Sequence, residues 1–418
     1  MGAPRRPVLV IVQPSPLRVV ATCSEPTGTP RRKIVKFVAP ASGNGGGTGG
    51  SGWADTPGAM TSTSASAPSA ARIEWSEGTP QHNTMIPAVS AGAYDAARHR
   101  AAFVDRSDRG RVVVSGADRA SYLQGLLTND VVALRPGQGC YAAYLTAQGR
   151  MIADLHVYEL GDLMLLAMAG RVKDGVLAKL DQFIFTEDVQ LGDVTDTFAQ
   201  IAVVGPDAAP IVAALLPDVA VETLRNMAEH GNLRAAWAGG PAIVTRVTDI
   251  GEAGYDLYVE RAQSETLKAA LGASGALEMD EPTADALRIE SGVPLFQRDM
   301  DEATIPLEAG IESRAISFSK GCYVGQEVII RVLHRGHGRV ARRLVGLRFD
   351  GPQIPAPGAT IRSGDREIGE VTSSTHSPAL NRPIALGYVH RDFVEPGTKV
   401  AVGESSGEVV PLPFVERP

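Results

Sequence analysis

At 418 residues, with 44% hydrophobic residues and a formal net charge of −7, the chain is long enough for two or three domains and too acidic for a protein that coats nucleic acid. It contains no apolar run of the ~18 residues that a transmembrane helix requires. Its three cysteines, Cys23, Cys140 and Cys322, lie far apart with no C-x-x-C pair, which excludes a disulfide framework or zinc module. A reducing, cytoplasmic setting is expected, with the mitochondrial matrix as the alternative.

Residues 1–71 carry Arg5, Arg6, Arg18, Arg31, Arg32, Lys33 and Lys36 against only Glu25 and Asp55, and include the tracts GNGGGTGGSG and TSTSASAPSAA. Such a composition cannot bury enough apolar surface to offset its ordering entropy, so residues 1–87 read as a disordered low-complexity extension. Three origins stay open: a tail, an Arg-rich transit peptide, or translated sequence upstream of a start at Met60 or Met85.

Residues 88–343 read as two α/β subdomains. A helix over 94–102 precedes a strand over 110–116, and Asp118 is placed to cap a helix over 119–127 whose Tyr122, Leu123, Leu126 and Leu127 recur at helical spacing. Residues 141–146 and 151–158 form a hairpin about the turn 147–150. A strand over 199–204, the turn Gly205-Pro206 and a helix capped by Asp207 repeat the earlier plan, which predicts two βαβ-like units. The strand over 243–247 pairs with 251–259, where Asp256 and Tyr258 share one face and Tyr255, Leu257 and Val259 the other. A buried unpaired carboxylate is costly, so Asp256 either faces water or holds a ligand. Helices follow over 264–271 and 283–290.

Residues 320–331 read KGCYVGQEVIIR, a polar loop expected to feed a strand through Val328, Ile329 and Ile330. An ammonium at Lys320 favours the thiolate of Cys322, Gly321 and Gly325 permit close backbone approach, and Gln326 and Glu327 offer polar groups at the mouth. Lys320 and Cys322 are therefore candidate catalytic residues; the alternative is a buried structural cysteine. Arg331, His334, Arg335, His337, Arg339, Arg342 and Arg343 form a positive cluster that either steers an anionic partner or is a solvated turn. No acid or thiol stands at ligand spacing from the two histidines, so no metal is expected. From 344 to 418 short strands over 344–349, 359–362, 367–373, 384–389 and 399–402 predict an antiparallel barrel.

The octapeptide KGCYVGQE resembles the motif of the YgfZ-type folate-binding proteins, which are related to the glycine-cleavage aminomethyltransferase (T-protein) and to mitochondrial iron–sulfur maturation factors. VSGADRASYLQGLLTND, LRIESGVPL, IGEVTSSTHSP and IALGYV resemble further stretches of the same family, so that the resemblance covers nearly all of the chain after residue 90. It implies an α+β fold: two α/β subdomains with antiparallel sheets around a central folate site, and a C-terminal antiparallel β-barrel. It implies tetrahydrofolate, or a one-carbon derivative, as cofactor. Tyr141 would lie near the pterin, Asp154 would handle the reacting nitrogen, and Asp256 would accept the pterin N–H and amine. Arg288 would meet the carboxylate end, and Cys322, Gln326 and Glu327 would border the site. Arg150 and Ala153 depart from the transferase pattern of paired glycines and paired aspartates, and residues 163–170 lack its asparagine. The resemblance implies a tetrahydrofolate-dependent role in iron–sulfur cluster assembly or repair and linked tRNA modification. Its partners would be iron–sulfur client or assembly proteins, with the chain monomeric, off the membrane and without a stable nucleic-acid complex. The alternatives are a folate-dependent aminomethyltransferase and a cysteine-nucleophile enzyme.

Overall fold

The computed structural model describes residues 89–334 and 338–416. The extension expected over 1–87, and Arg335 and His337 of the positive cluster, lie outside the described residues. First come α1 (Ala91–His99), β1 (Ala102–Asp105), β2 (Gly110–Ser115) and α2 (Arg119–Leu126). A meander follows, β3 (Gly139–Leu145), β4 (Met151–Glu159) and β5 (Leu163–Met168), and then α3 (Lys173–Asp181) and β6 (Gln190–Asp193). The plan repeats as β7 (Phe198–Val204), α4 (Ala208–Leu215), α5 (Val221–Arg225), β8 (Asn232–Trp237), β9 (Gly240–Val247), β10 (Gly254–Glu260), α6 (Ser264–Ala273) and β11 (Leu277–Glu278). Four helices lead onward: α7 (Glu281–Glu290), α8 (Pro306–Ala309), α9 (Glu312–Ala315) and α10 (Gln326–His334). The last six strands are β12 (Arg342–Phe349), β13 (Thr360–Ser363), β14 (Arg366–Ser377), β15 (Arg382–His390), β16 (Lys399–Val402) and β17 (Ser405–Val410).

The first repeat builds a five-stranded sheet of order β3-β4-β5-β2-β6, and the second a six-stranded sheet of order β11-β1-β7-β10-β9-β8. In strand order β3, β4, β5 and β2 of the first correspond to β8, β9, β10 and β7 of the second. The strand beside β2 is β6, whereas the one beside β7 is β1, brought from before the first repeat. The pairings are antiparallel apart from β1 with β11, so the βαβ-like expectation is corrected to two antiparallel meanders, each flanked by helices. Tight turns such as those after β3 and β8 cannot return a chain parallel to itself. The barrel closes as β12-β15-β14-β13-β16-β17, with β17 a strand that the sequence reading did not separate.

Each repeat buries its own core beneath its helices. Val112, Leu123, Leu127, Leu155 and Val176 pack under α2 and α3, and Ile201, Val212, Leu257 and Leu271 pack under α4 and α6. Neither Asp118 nor Asp207 caps its helix through the side chain. Asp118 instead accepts from the Asp188 backbone N–H at 2.9 Å, pinning the start of α2 to the chain before β6. A side-chain cap does form at Asp280, which accepts from Thr283 N–H at 3.0 Å and opens α7.

The strand expected through Val328, Ile329 and Ile330 is a helix. Ile329 is buried, and Val332 and Leu333 are partly buried against the same core; that i, i+3, i+4 stripe overrides the β-preference of a three-residue branched run. Glu327 in the first turn and Arg331 and His334 in the last complement the helix dipole.

Candidate functional site

Strand alternation decides which side chains face the space between the two sheets. On β4, Met151, Ala153, Leu155 and Val157 fill the core under the helices, which turns Asp154, His156 and Tyr158 toward the second sheet. On β10, Tyr255, Leu257 and Val259 fill the other core, leaving Asp256 and Tyr258 turned back toward the first. Tyr158, Leu163, Leu165, Phe198 and Tyr258 close part of that interval with apolar contacts. The remainder is polar.

On the first sheet the Tyr141 hydroxyl donates to Asp154 Oδ2 at 2.8 Å. The His156 ring lies 5.2 Å from the Tyr141 ring and 5.2 Å from the His230 ring, and Arg314 sits 5.5 Å over Tyr141. On the second sheet Gln200 Nε2 donates to Asp256 Oδ2 at 2.7 Å, and Arg106 Nη1 lies 3.4 Å from Asp256 Oδ1. Arg106 spends most of its guanidinium on Asp249, gripping both carboxylate oxygens at 2.8 and 2.6 Å. The fully buried Arg111 donates to Ser107 O and Thr195 O and reaches Gln200 Oε1 at 3.4 Å.

These environments set the protonation states. Burial pushes the Asp154 carboxyl up, opposed by the Tyr141 hydrogen bond, and pushes Asp256 up, opposed by Arg106. Burial also works against the Asp249 carboxylate, but there Arg106 prevails and holds it well below the usual range. His156 is pushed well down by burial and by His230, and His230 is lowered by burial, so both rings are neutral at physiological pH. A buried carboxyl with a raised pKa, steadied by a phenol, is better placed than a free carboxylate to take up and return a proton.

Several polar atoms here are buried without a partner: Arg109 Nε, Tyr158 OH, Tyr258 OH, Thr245 Oγ1 and His230 Nδ1. The two phenols face Thr245, yet no hydrogen bond of good geometry forms. His230 also holds φ +61°, a left-handed conformation that costs a non-glycine residue energy. Such orphaned donors and acceptors between two walls suit a flat, polar ligand.

Of the residues singled out in the sequence, Tyr141, Asp154 and Asp256 are brought to this interval. Arg288 is not available to a ligand carboxylate: it is buried, donating to Asp285 at 2.6 Å, Asp299 at 2.7 Å, Val293 O at 3.1 Å and Ser373 Oγ at 2.7 Å. Its fork joins α7 to β14, with four of its five N–H donors taken by the protein itself. Lys320 does not serve Cys322 either. Its buried ammonium donates to Gln124 O, Leu127 O and Asn129 O at 2.6, 2.6 and 2.9 Å, filling the open carbonyl end of α2, and the thiol its charge acts on is the buried Cys140. Cys322 is exposed, so the alternative of a buried structural cysteine is set aside. Gln326 and Glu327 begin α10, and neither makes a side-chain hydrogen bond among the described residues.

Sequence reading missed Arg106, Arg109, Gln200, His156, His230 and Asp249. Gln200 was detectable as the one polar residue in an otherwise apolar strand, β7. Arg106 and Arg109, three apart in a turn, carry no pattern of their own. Among the described residues no group of three or more His, Cys, Asp and Glu side chains could hold a metal ion, and no helix is long and apolar enough to cross a membrane.

Residues 69–320 match the family model of the GCVT N-terminal domain, and residues 342–418 that of the glycine cleavage T-protein C-terminal barrel domain. The chain belongs to the GCVT family. It is 35% identical over 328 residues to the aminomethyltransferase of Rubrobacter xylanophilus, covering 78% of this chain and 86% of that protein. It is 33% identical over 334 residues to that of Streptomyces coelicolor, covering 77% and 88%. The glycine cleavage system aminomethyltransferase T of Bartonella henselae shares the fold, with a TM-score of 0.71 at 23% identity over 78% of this chain and 89% of that one. Tetrahydrofolate is the cosubstrate of GCVT-family aminomethyltransferases. The orphaned polar atoms and the incompletely used Asp256 carboxylate between the GCVT sheets fit its reduced pterin ring.

Proposed function

We propose that this protein binds tetrahydrofolate between its two sheets and carries out folate-dependent one-carbon transfer of the aminomethyltransferase type. The observation that carries the reading is Asp256: a buried carboxylate with one short hydrogen bond and one long contact keeps lone pairs for two further donors. A pterin offers a ring N–H beside an exocyclic amine, which one carboxylate accepts together. Asp154, oriented by Tyr141 and raised by burial, then exchanges the proton of the nitrogen that receives the carbon.

The departures at Arg150 and Ala153 do not weigh against transfer. Ala153 is fully buried in the core on the far face of β4 from Asp154, and Arg150 donates to Ala303 O at the hairpin turn. The test is tetrahydrofolate-dependent release of ammonia from an aminomethyl-loaded lipoyl carrier protein. Turnover is expected, falling about 10²–10⁴-fold in Asp154→Asn.

A second reading, support of iron–sulfur enzymes and the tRNA modification that depends on them, is favoured by one observation. Cys322 lies exposed in a loop that Lys320 anchors, and the loop carries the YgfZ-like octapeptide. Folate binding without turnover, together with iron–sulfur enzyme activity in cells restored by the intact protein but not by Cys322→Ala, would select it. Iron–sulfur client or assembly proteins are then the partners, with the chain working as a monomer.

A further inference from the structure

Arg106, Arg109 and Arg111 enter the interval between the sheets from the β1–β2 turn and its edge, but they are used differently. Arg106 is committed to Asp249, and Arg111 to two backbone carbonyls. Arg109 makes no side-chain hydrogen bond or ion pair among the described residues, and its Nε is buried without a partner. The turn closes through Arg109 N–H to Arg106 O at 3.0 Å, so Arg109 leaves the same turn whose other arginine reaches Asp256. Its charge acts on Asp154, Asp249 and Asp256 alike, so it faces the carboxylate side of the turn while staying partly exposed. A buried Nε–H with no acceptor is costly unless a ligand supplies one.

Resting on the folate reading above, we propose that Arg109 is the specificity-determining residue for the 4-oxo group of the pterin. The edge of a 4-oxo pterin presents amine, ring N–H and carbonyl in a row. Asp256 supplies acceptors for the first two, and Arg109 supplies the donor for the third. A 2,4-diamino ring presents N–H at that third position and meets Arg109 donor to donor, and its neutral N3 carries no hydrogen for Asp256. The site therefore distinguishes the two rings by two hydrogen bonds that only one can make, at Asp256 and at Arg109, a discrimination that hydrogen-bonding sites achieve far better than apolar ones.

The experiment is anaerobic calorimetric titration of tetrahydrofolate and of its 4-amino-4-deoxy analogue into the full chain and into Arg109→Met, with thermal melts of both proteins. The intact protein should prefer tetrahydrofolate by about tenfold or more. Arg109→Met should melt like the parent, lose about tenfold in tetrahydrofolate affinity and lose about the same factor from its preference for tetrahydrofolate, keeping the share that Asp256 supplies. An undiminished preference in Arg109→Met overturns the proposal, as does an equal loss for both ligands, which would assign Arg109 to a part of the molecule they share. If Arg109→Met does not fold, Arg109→Ala takes its place: an undiminished preference overturns the proposal, and a preference reduced by about tenfold upholds it. Binding of neither ligand fails the folate reading itself, an outcome distinct from these.

Discussion

At the scale of single residues, the interval between the sheets is governed by which charges are matched. Asp249 has Arg106, Asp154 has the Tyr141 hydroxyl, and Asp256 has Gln200 with a partial claim on Arg106. His156 and His230 are kept neutral by burial, with Asp249, Arg106, Arg109, Arg314, Glu229 and Tyr141 as the charged and titratable groups around them. The unfolded chain binds protons on these rings near pH 6.5 while the folded chain does not, so stability rises with pH across that window and is lost as pH falls through it. Each ring contributes a slope of up to about 1.4 kcal/mol per pH unit below its unfolded pKa. Melting temperatures between pH 7.5 and 5.5 should fall, and fall less steeply in His156→Gln; an unchanged slope would show that His156 charges freely in the fold. Asp256 was legible from strand alternation, which places polar side chains on a defined face, whereas Tyr141 and Asp154 were legible only through the resemblance of their hairpin to the family. Arg106, Arg109 and Asp249 were not, because their meaning arises only when the β1–β2 turn and the end of β9 meet across the fold.

At the scale of elements, the loop that the sequence marked by its cysteine is a clamp. Lys320, pushed down to about 8 by burial and thus charged at neutral pH, gives its three donors to three carbonyls at the end of α2. Gly325, at φ +86°, would press a side chain into Thr146 O, and Gly149, at φ +73°, would press one into Val328, so the hairpin turn and the start of α10 approach at two glycines. Asn129 extends the connection, donating to Tyr141 O and Arg314 O. Replacing Lys320 by Met should cost about 2–4 kcal/mol in chemical denaturation, since three carbonyls lose a charged donor, whereas Cys322→Ser should change stability by less than about 0.5 kcal/mol. A tolerated Lys320→Met would assign the lysine to chemistry and not to anchoring. The motif's residue types were readable, but the direction of Lys320 was not, because the open end of α2 lies nearly two hundred residues earlier in the chain. The helix at Gln326–His334 was misread as a strand because three consecutive branched residues outweighed a stripe that only packing makes plain.

At the scale of the whole molecule, α7 binds the barrel to the sheets through buried charge. Glu290 accepts from Tyr94 OH at 2.6 Å and pairs with Arg98 and Ser377, while Arg288 meets Asp299 and Ser373, so that α1, α7 and β14 are held at one junction. Phe414 N–H returns to Glu290 O at 2.8 Å, tying the end of the described chain to the same helix. Arg288→Met leaves Asp299 buried and unpaired, which should cost about 3–5 kcal/mol in chemical denaturation. The ratio of affinities for tetrahydrofolate and tetrahydropteroate should not change in that variant; a selective loss of the glutamate contribution would return Arg288 to the ligand. The α+β class, the repeated strand–turn–helix plan and the barrel were all legible from turn residues and alternation. The antiparallel course of the repeats and the insertion of β1 beside β7 were not, because pairing between distant strands leaves no local trace.

The central claim is that Asp256 receives a pterin between the two sheets. Calorimetric titration of tetrahydrofolate into the intact protein, Asp256→Asn and Cys322→Ala tests it most directly. The account predicts saturable binding that Cys322→Ala leaves intact and that Asp256→Asn, isosteric but presenting an amide in place of one acceptor oxygen, weakens by about tenfold or more. Full-strength binding by Asp256→Asn would contradict it.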